Sequence, residues 1–221
     1  TAFAKGDYDT ALRYLEQSLA IKQQIGDQKG EGTVLNNISQ IYDAIGDYDT
    51  ALKYLQQCLV LQRQLENREE EGIILNNLAT LAFSKGDFDK AFQYLEESLN
   101  IVRRIGNRAI EGRILINFAG ILQSLGDYEE ALNYLNHSLD IYQQIGEISG
   151  WATALHNKGS IYWKQRRDAE RAIESLHKAH RIFGRIGSPN VQYTAAYLQE
   201  IRDTIGEERY NEILQQLESE D

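Results

Sequence analysis

Gly46-Asp47-Tyr48-Asp49-Thr50-Ala51-Leu52 decides how this chain is read, because the stretch returns at a fixed interval. It stands again at Gly6-Asp7-Tyr8-Asp9-Thr10-Ala11-Leu12, at Gly86-Asp87-Phe88-Asp89-Lys90-Ala91-Phe92 and at Gly126-Asp127-Tyr128-Glu129-Glu130-Ala131-Leu132. A degraded copy, Arg167-Asp168-Ala169-Glu170-Arg171-Ala172-Ile173, comes one residue late. The interval is 40 residues, and residues 6–45 share 17 of 40 positions with residues 46–85. Self-similarity at a period of about 20 to 50 residues marks a stacked-repeat architecture.

Each part of the stretch has a task. The Gly follows a run such as Ile41-Tyr42-Asp43-Ala44-Ile45 and reads as the left-handed residue that closes one helix. Asp47 reads as the N-cap of the next helix, with Asp49 favoured in its first turn by the helix dipole. The unit is therefore helix, tight turn, helix. Ala11, Ala51, Ala91, Ala131 and Ala172 fall one turn into the second helix, where only a methyl group lets two helices approach closely. Ser39, Ala79, Ala119 and Gly159 form a second small series in the first helix. Ser18, Cys58, Ser98, Ser138 and Ala179 form a third, further along the second helix.

These residues resemble the tetratricopeptide repeat (TPR) pattern: a large residue, then apolar-small, then an aromatic, then the Gly turn and the second-helix Ala. In one repeat those places are Leu35, Ile38-Ser39, Tyr42, Gly46, Tyr48, Ala51, Leu55 and Cys58. The long unit, with Glu31-Gly32, Glu71-Gly72 and Glu111-Gly112 opening the first helices, resembles the kinesin light chain and LGN/Pins adaptor type, and bacterial signalling proteins carry similar arrays. The resemblance implies an all-α fold, a right-handed α-solenoid of helical hairpins with a C-terminal capping helix pair. The expected organisation is a repeat array over residues 1–187, with a partial first repeat and four repeats at about 28–65, 68–105, 108–145 and 148–186. Capping helices, Val191 to Thr204 and Glu207 to Leu217, and an acidic tail expected to fray over 218–221 fill residues 188–221. Residues 1–5 align with 81–85, the end of a first helix, so the chain is expected to be a fragment that starts inside a repeat. The last repeat departs most: Trp151 replaces the Glu, Lys158 takes an apolar slot with its amine expected to reach outward, and Arg166 replaces the Gly.

Composition narrows the function classes. The 221 residues are 42% hydrophobic and 25% charged, with one Pro, which suits a nearly all-helical chain. One Cys excludes an internal disulfide framework and fits a reducing, cytoplasmic compartment. There is no signal peptide pattern and no apolar run long enough to span a bilayer, so no membrane partner is expected. Residues 1–157 carry 13 Lys/Arg against 22 Asp/Glu, residues 158–185 carry 8 against 3, and residues 200–221 carry 2 against 8. An acidic body argues against nucleic-acid binding, which needs cationic surface to displace counterions. The basic segment is read either as a solvated outer helix face or as a surface for an acidic partner.

In the family architecture the first helices line a concave groove. Counting back nine residues from the turn places Asn37, Asn77, Asn117 and Asn157 on it, an Asn in every repeat. The resemblance places Asn36, Asn76 and His156 beside them, Arg113 one turn earlier, Gln40 one turn later, and Asp43, Phe83, Gln123 and Trp163 further along. Asn offers a donor and an acceptor, so it can pair with a peptide's C=O and N–H together. With helices about 10 Å apart and an extended chain rising about 3.3 Å per residue, one Asn meets roughly every third peptide residue. The expected function is a non-enzymatic module that binds an extended peptide, within a larger regulatory or scaffold protein. An equal alternative for the Asn series is hydrogen bonding within the solenoid. The rivals for the whole chain are a self-assembling scaffold or homo-oligomer and a peptide sensor of a bacterial regulator. The carboxylate clamp of chaperone-tail receptors is missing, since its Lys place holds Asn36, Asn76, Ile116 or His156. No catalytic motif, cofactor motif or metal site is expected; His177 and His180 on one helix lack further ligands.

Overall fold

The computed structural model describes residues 5–220, with side chains placed over residues 7–217. The predicted helix end at residues 1–4, and Asp221, lie outside them. All the described elements are helical, as the solenoid reading requires. Two compact units, residues 1–107 and 108–221, make up the chain.

The first unit holds α1 (Lys5–Ile25), α2 (Gln28–Ala44), α3 (Tyr48–Gln64), α4 (Arg68–Ser84) and α5 (Phe88–Ile105). The hairpins α2–α3 and α4–α5 turn as the stretch dictates. Gly46 and Gly86 take φ of +84° and +77°, a region costly for any residue with a Cβ. Asp47 and Asp87 then accept the N–H groups of Thr50 and Lys90 at 3.1 and 3.2 Å. The first copy behaves differently: α1 begins at Lys5, so its Gly6-Asp7 lies inside the helix and makes no turn.

Behind the turns, Ala51, Ala91, Leu55, Leu95, Cys58 and Ser98 are buried, with Leu35, Leu75 and Leu78 opposite them. A hydrogen bond runs through each hairpin that the sequence showed only as a small-residue series. Ser98 Oγ donates to the Gly72 carbonyl at 2.6 Å, and Cys58 Sγ to the Gly32 carbonyl at 3.3 Å. The glycine is needed for the approach, since a Cβ at Gly72 would stand 2.8 Å from Val102 Cγ1. Burial pushes the Cys58 thiol up to about 11, which keeps it protonated and unreactive. Glu71, beside Gly72, is also buried, and is held by Arg63 Nε at 2.8 Å and Arg68 at 2.7 Å.

The second unit holds α6 (Arg108–Leu125), α7 (Tyr128–Ile145), α8 (Ile148–Ile161), α9 (Ala169–Arg185), α10 (Val191–Ile205) and α11 (Glu207–Glu220). The α6–α7 hairpin repeats the same devices, with Ser138 Oγ donating to the Gly112 carbonyl at 2.9 Å and Asp127 accepting from Glu130 N. The degraded copy is resolved by a π-helical turn, Tyr162–Arg166, which continues α8 and absorbs the extra residue. Arg167, at φ +54°, and not Arg166, therefore stands where the other hairpins have Gly. Lys158 packs its stem and reaches out to Asn136 Oδ1 at 2.8 Å.

Helices α10 and α11 close the unit. Leu198, Ile201, Tyr210 and Ile213 pack against Trp163, Ala172, Ile173 and Leu176. The backbone of α11 runs to Glu220, past the expected end at Leu217.

Candidate functional site

In the first unit Asn37 and Gln40 are exposed on α2, one turn apart by sequence spacing, and Asn37 has no side-chain hydrogen bond among the described residues. Asn77 on α4 is half-buried and donates Nδ2 to Asn36 Oδ1 of the neighbouring repeat at 3.0 Å. The bond joins neighbouring repeats and orients both amides. Gln40, Asp43, Asn77 and Thr80, backed by Ser39, Leu55 and Leu81, line a cavity of about 110 Å³. Burial raises the Asp43 carboxyl above its ordinary range, and no cation pairs with it among the described residues.

Two expected neighbours sit elsewhere. Asn76 is only 4% exposed and belongs to the packing between helices. Phe83 is half-buried, its ring 5.8 Å from that of Phe88, so it braces the α4–α5 turn.

In the second unit Arg113, Ile116 and Asn117 of α6 face Ser149 and Thr153 of α8 across a cavity of about 410 Å³, with Tyr142 and Glu147 beneath. Arg113 is exposed, while Asn117, Gln123 and Asn157 are half-buried. His156 is turned toward α10: its ring meets the Tyr197 ring edge-on at 5.4 Å, and its Nδ1 is buried without a hydrogen-bond partner. Desolvation lowers its pKa and favours the neutral imidazole.

Trp163 does not reach an open face. It is 2% exposed in the core under α10 and donates Nε1 to Glu200 at 2.9 Å. Leu198 and Ile201 of α10 and Tyr210 and Ile213 of α11 pack over it. Asp43 stands where the repeat pattern placed it, whereas Tyr197 was missing from the expected set: it lies on a helix without the repeat pattern and left no sequence signal.

The remaining chemistry is sparse. Among the described residues no group of three or more His, Cys, Asp or Glu is placed to hold a metal ion, and no helix is long and apolar enough to cross a membrane.

Comparison with known proteins places this geometry. The model of the tetratricopeptide repeat family matches residues 1–64 and 70–144, and that of anaphase-promoting complex subunit 5 matches residues 114–182. No curated protein sequence matches significantly. Among solved structures, BtubC (BKLC) from P. vanneervenii superposes with a TM-score of 0.78 at 17% identity, covering 96% of this chain and 90% of that one. Kinesin light chain TPR-like repeats from Podosopora anserina give 0.60 at 19%, over 82% and 89%. A Rap protein complexed with competence and sporulation factor gives 0.65 at 15%, over 93% and 60%. At these identities the structural likeness speaks for the fold alone. The family model, which covers well over half of the sequence, goes further: the chain belongs to the tetratricopeptide repeat family, whose fold is that of a protein–protein interaction module.

Proposed function

We propose that the first-helix face of these repeats binds an extended peptide segment of a partner protein, as the recognition part of a larger cytoplasmic regulatory or scaffold protein. The observation that carries this reading is the open, almost uncharged amide face: Asn37 and Gln40 stand exposed on α2, and Asn77, oriented by its bond to Asn36, lines the cavity beside them. An amide held in one orientation loses little entropy when it meets a peptide group, and each such pair adds about 1 kcal/mol. Asp43 and Arg113 supply one acidic and one basic contact for selecting peptide side chains. His156 and Trp163, which face α10, are left out of the proposed contact set, as is the buried Asn76. The Rap protein complexed with competence and sporulation factor is one instance of this fold accommodating a separate factor.

The test is to pan an unbiased peptide display library against the folded chain. Recovered peptides are then titrated against the parent and the Asn37→Ala/Asn117→Ala/Asn157→Ala variant, after circular dichroism shows equal helicity. The reading expects affinity to fall at least about tenfold in the variant. Equal affinity for both proteins would remove the amide face from the site.

A further inference from the structure

The basic segment offers something the peptide face does not use. On α9, Arg171, Lys178, Arg181 and Arg185 are separated by 7, 3 and 4 residues. At about 100° per residue these positions fall within an arc of roughly 80°, and at about 1.5 Å per residue they run along roughly 21 Å of helix. The opposite side of α9 is the one packed into the core, through Ala172, Ile173, Leu176, Ala179 and Phe183. Arg171, Arg181 and Arg185 are exposed and Lys178 is half-buried.

Solvation alone does not call for this stripe, because the chain contains its own controls. The matching positions on α7 are Glu130, His137, Asp140 and Gln144, all exposed; on α3 they are Thr50, Gln57, Val60 and Gln64. Those two helices turn the same face outward with acidic or neutral residues, and α5 carries Lys90, Glu97, Asn100 and Arg104 there. Four cations in this register therefore occur on α9 and on none of these three helices, which fold into the same hairpin. Nor is the charge used up inside the molecule. Arg171 is paired with Asp168 at 3.6 Å and lies over the Tyr162 ring, and Lys178 is paired with Glu174 at 3.1 Å. Arg181 and Arg185 have no acidic partner among the described residues. Arg185 gains from the helix C-terminus, but Arg181 lies a turn further in.

We propose that the outward face of α9 is a second docking surface, taking an acidic segment of a partner protein against Arg181 and Arg185, with Arg171 and Lys178 extending the contact. A protein fits better than a nucleic acid for two reasons visible on the face itself. Glu174 stands among the cations and Glu170 at their N-terminal end, and the molecule carries a net charge of −10, whose repulsion grows with the length of polyanion that runs beyond the patch. Discrete carboxylates can be placed between these acids, where a continuous phosphate backbone cannot avoid them. Arg suits the task because its guanidinium takes a carboxylate through two parallel N–H···O bonds.

The experiment uses the whole chain and a fluorescein-labelled deca-glutamate peptide, read by anisotropy at low and at physiological salt, with a single-stranded ten-nucleotide DNA and phosphatidylserine vesicles as competing probes. The expected result is saturable peptide binding that weakens with salt, falls at least tenfold in Arg181→Glu/Arg185→Glu, and is unchanged in Asn37→Ala/Asn117→Ala/Asn157→Ala. Both substituted arginines are exposed, so the variant keeps the fold, and circular dichroism verifies it. Three results would each overturn the proposal: no peptide binding at low salt, equal binding by parent and charge-reversed variant, or tighter binding of DNA or vesicles than of the peptide. The two variants separate the readings: binding lost with Arg181→Glu/Arg185→Glu belongs to α9. Binding lost only with Asn37→Ala/Asn117→Ala/Asn157→Ala belongs to the amide face and counts against the α9 proposal without touching the peptide-groove reading.

Discussion

Ser98 meets Gly72 at 2.6 Å because two series with the same 40-residue period, a glycine in the first helix and a small hydroxyl or thiol residue in the second, are both needed for one contact. Ser98→Ala keeps the packing volume and removes the donor. It should lower stability by about 1 kcal/mol, seen as a shift in the denaturant midpoint with no change in slope. Glu66 is the converse case, an L-residue at φ +53° where Gly26, Gly106 and Gly146 stand in the other repeats. Glu66→Gly removes a left-handed penalty of about 1–2 kcal/mol, partly offset by the greater freedom of glycine in the unfolded chain. A net gain of about 0.5 kcal/mol or more is expected in thermal melts. The buried Glu71 sets a pH dependence: burial acts to raise its pKa, but the bonds from Arg63 and Arg68 outweigh it and hold the carboxyl below its usual value near 4.5. A depressed folded-state pKa contributes stability that is complete above the unfolded value and lost as pH falls through the folded one. Arg63→Gln should therefore destabilise at neutral pH, and its deficit against the parent should shrink as pH drops below about 4.5, as urea titrations across that range would show.

At the scale of the helix, the turns could be read directly from the sequence because Gly-Asp has one good use between two helices: a left-handed stop followed by a cap. The inward or outward facing of neighbouring asparagines could not be read, because Asn is compatible with both a half-buried amide bond, as at Asn36, and a packed interior, as at Asn76. The last hairpin was the least legible. One inserted residue can be taken up by a loosened turn or by a wider helical turn, and the sequence does not distinguish them. Trp163, an expected groove residue that falls in the π turn over Tyr162–Arg166, is instead the anchor of α10. Trp163→Ala removes a large buried side chain and leaves Glu200 without its indole partner, at a cost of about 3–5 kcal/mol. In repeat proteins such a loss is felt mainly by neighbouring elements. Hydrogen exchange should accelerate in α10 and α11 while the amides of α2 to α5 keep their protection; uniform acceleration would contradict the anchoring role.

Over the whole molecule, charge separates what the repeats share from what they do not. The stretches that build hairpins recur every 40 residues, yet the excess of cations is confined to residues 158–185, within a chain of net −10. Fold information was thus repeated in the sequence and easy to find, while the information about partners was present once and had no second copy against which to recognise it. The two proposed surfaces differ in the physics of their contacts, so ionic strength can sort their partners. Amide-to-backbone hydrogen bonds carry no net charge and are little affected by salt. Exposed arginine–carboxylate pairs are screened, with a Debye length that falls from about 30 Å at 0.01 M to about 3 Å at 1 M. Proteins captured from a lysate on the immobilised chain should therefore divide into two sets. One persists through a wash at about 0.5 M salt and disappears with Asn37→Ala/Asn117→Ala/Asn157→Ala. The other elutes in that wash and disappears with Arg181→Glu/Arg185→Glu. A partner that resists salt yet depends only on the arginines would mean that the α9 contact is desolvated and shielded, unlike the exposed pairing inferred here. Loss of every partner in both variants would mean that the two faces bind as one surface.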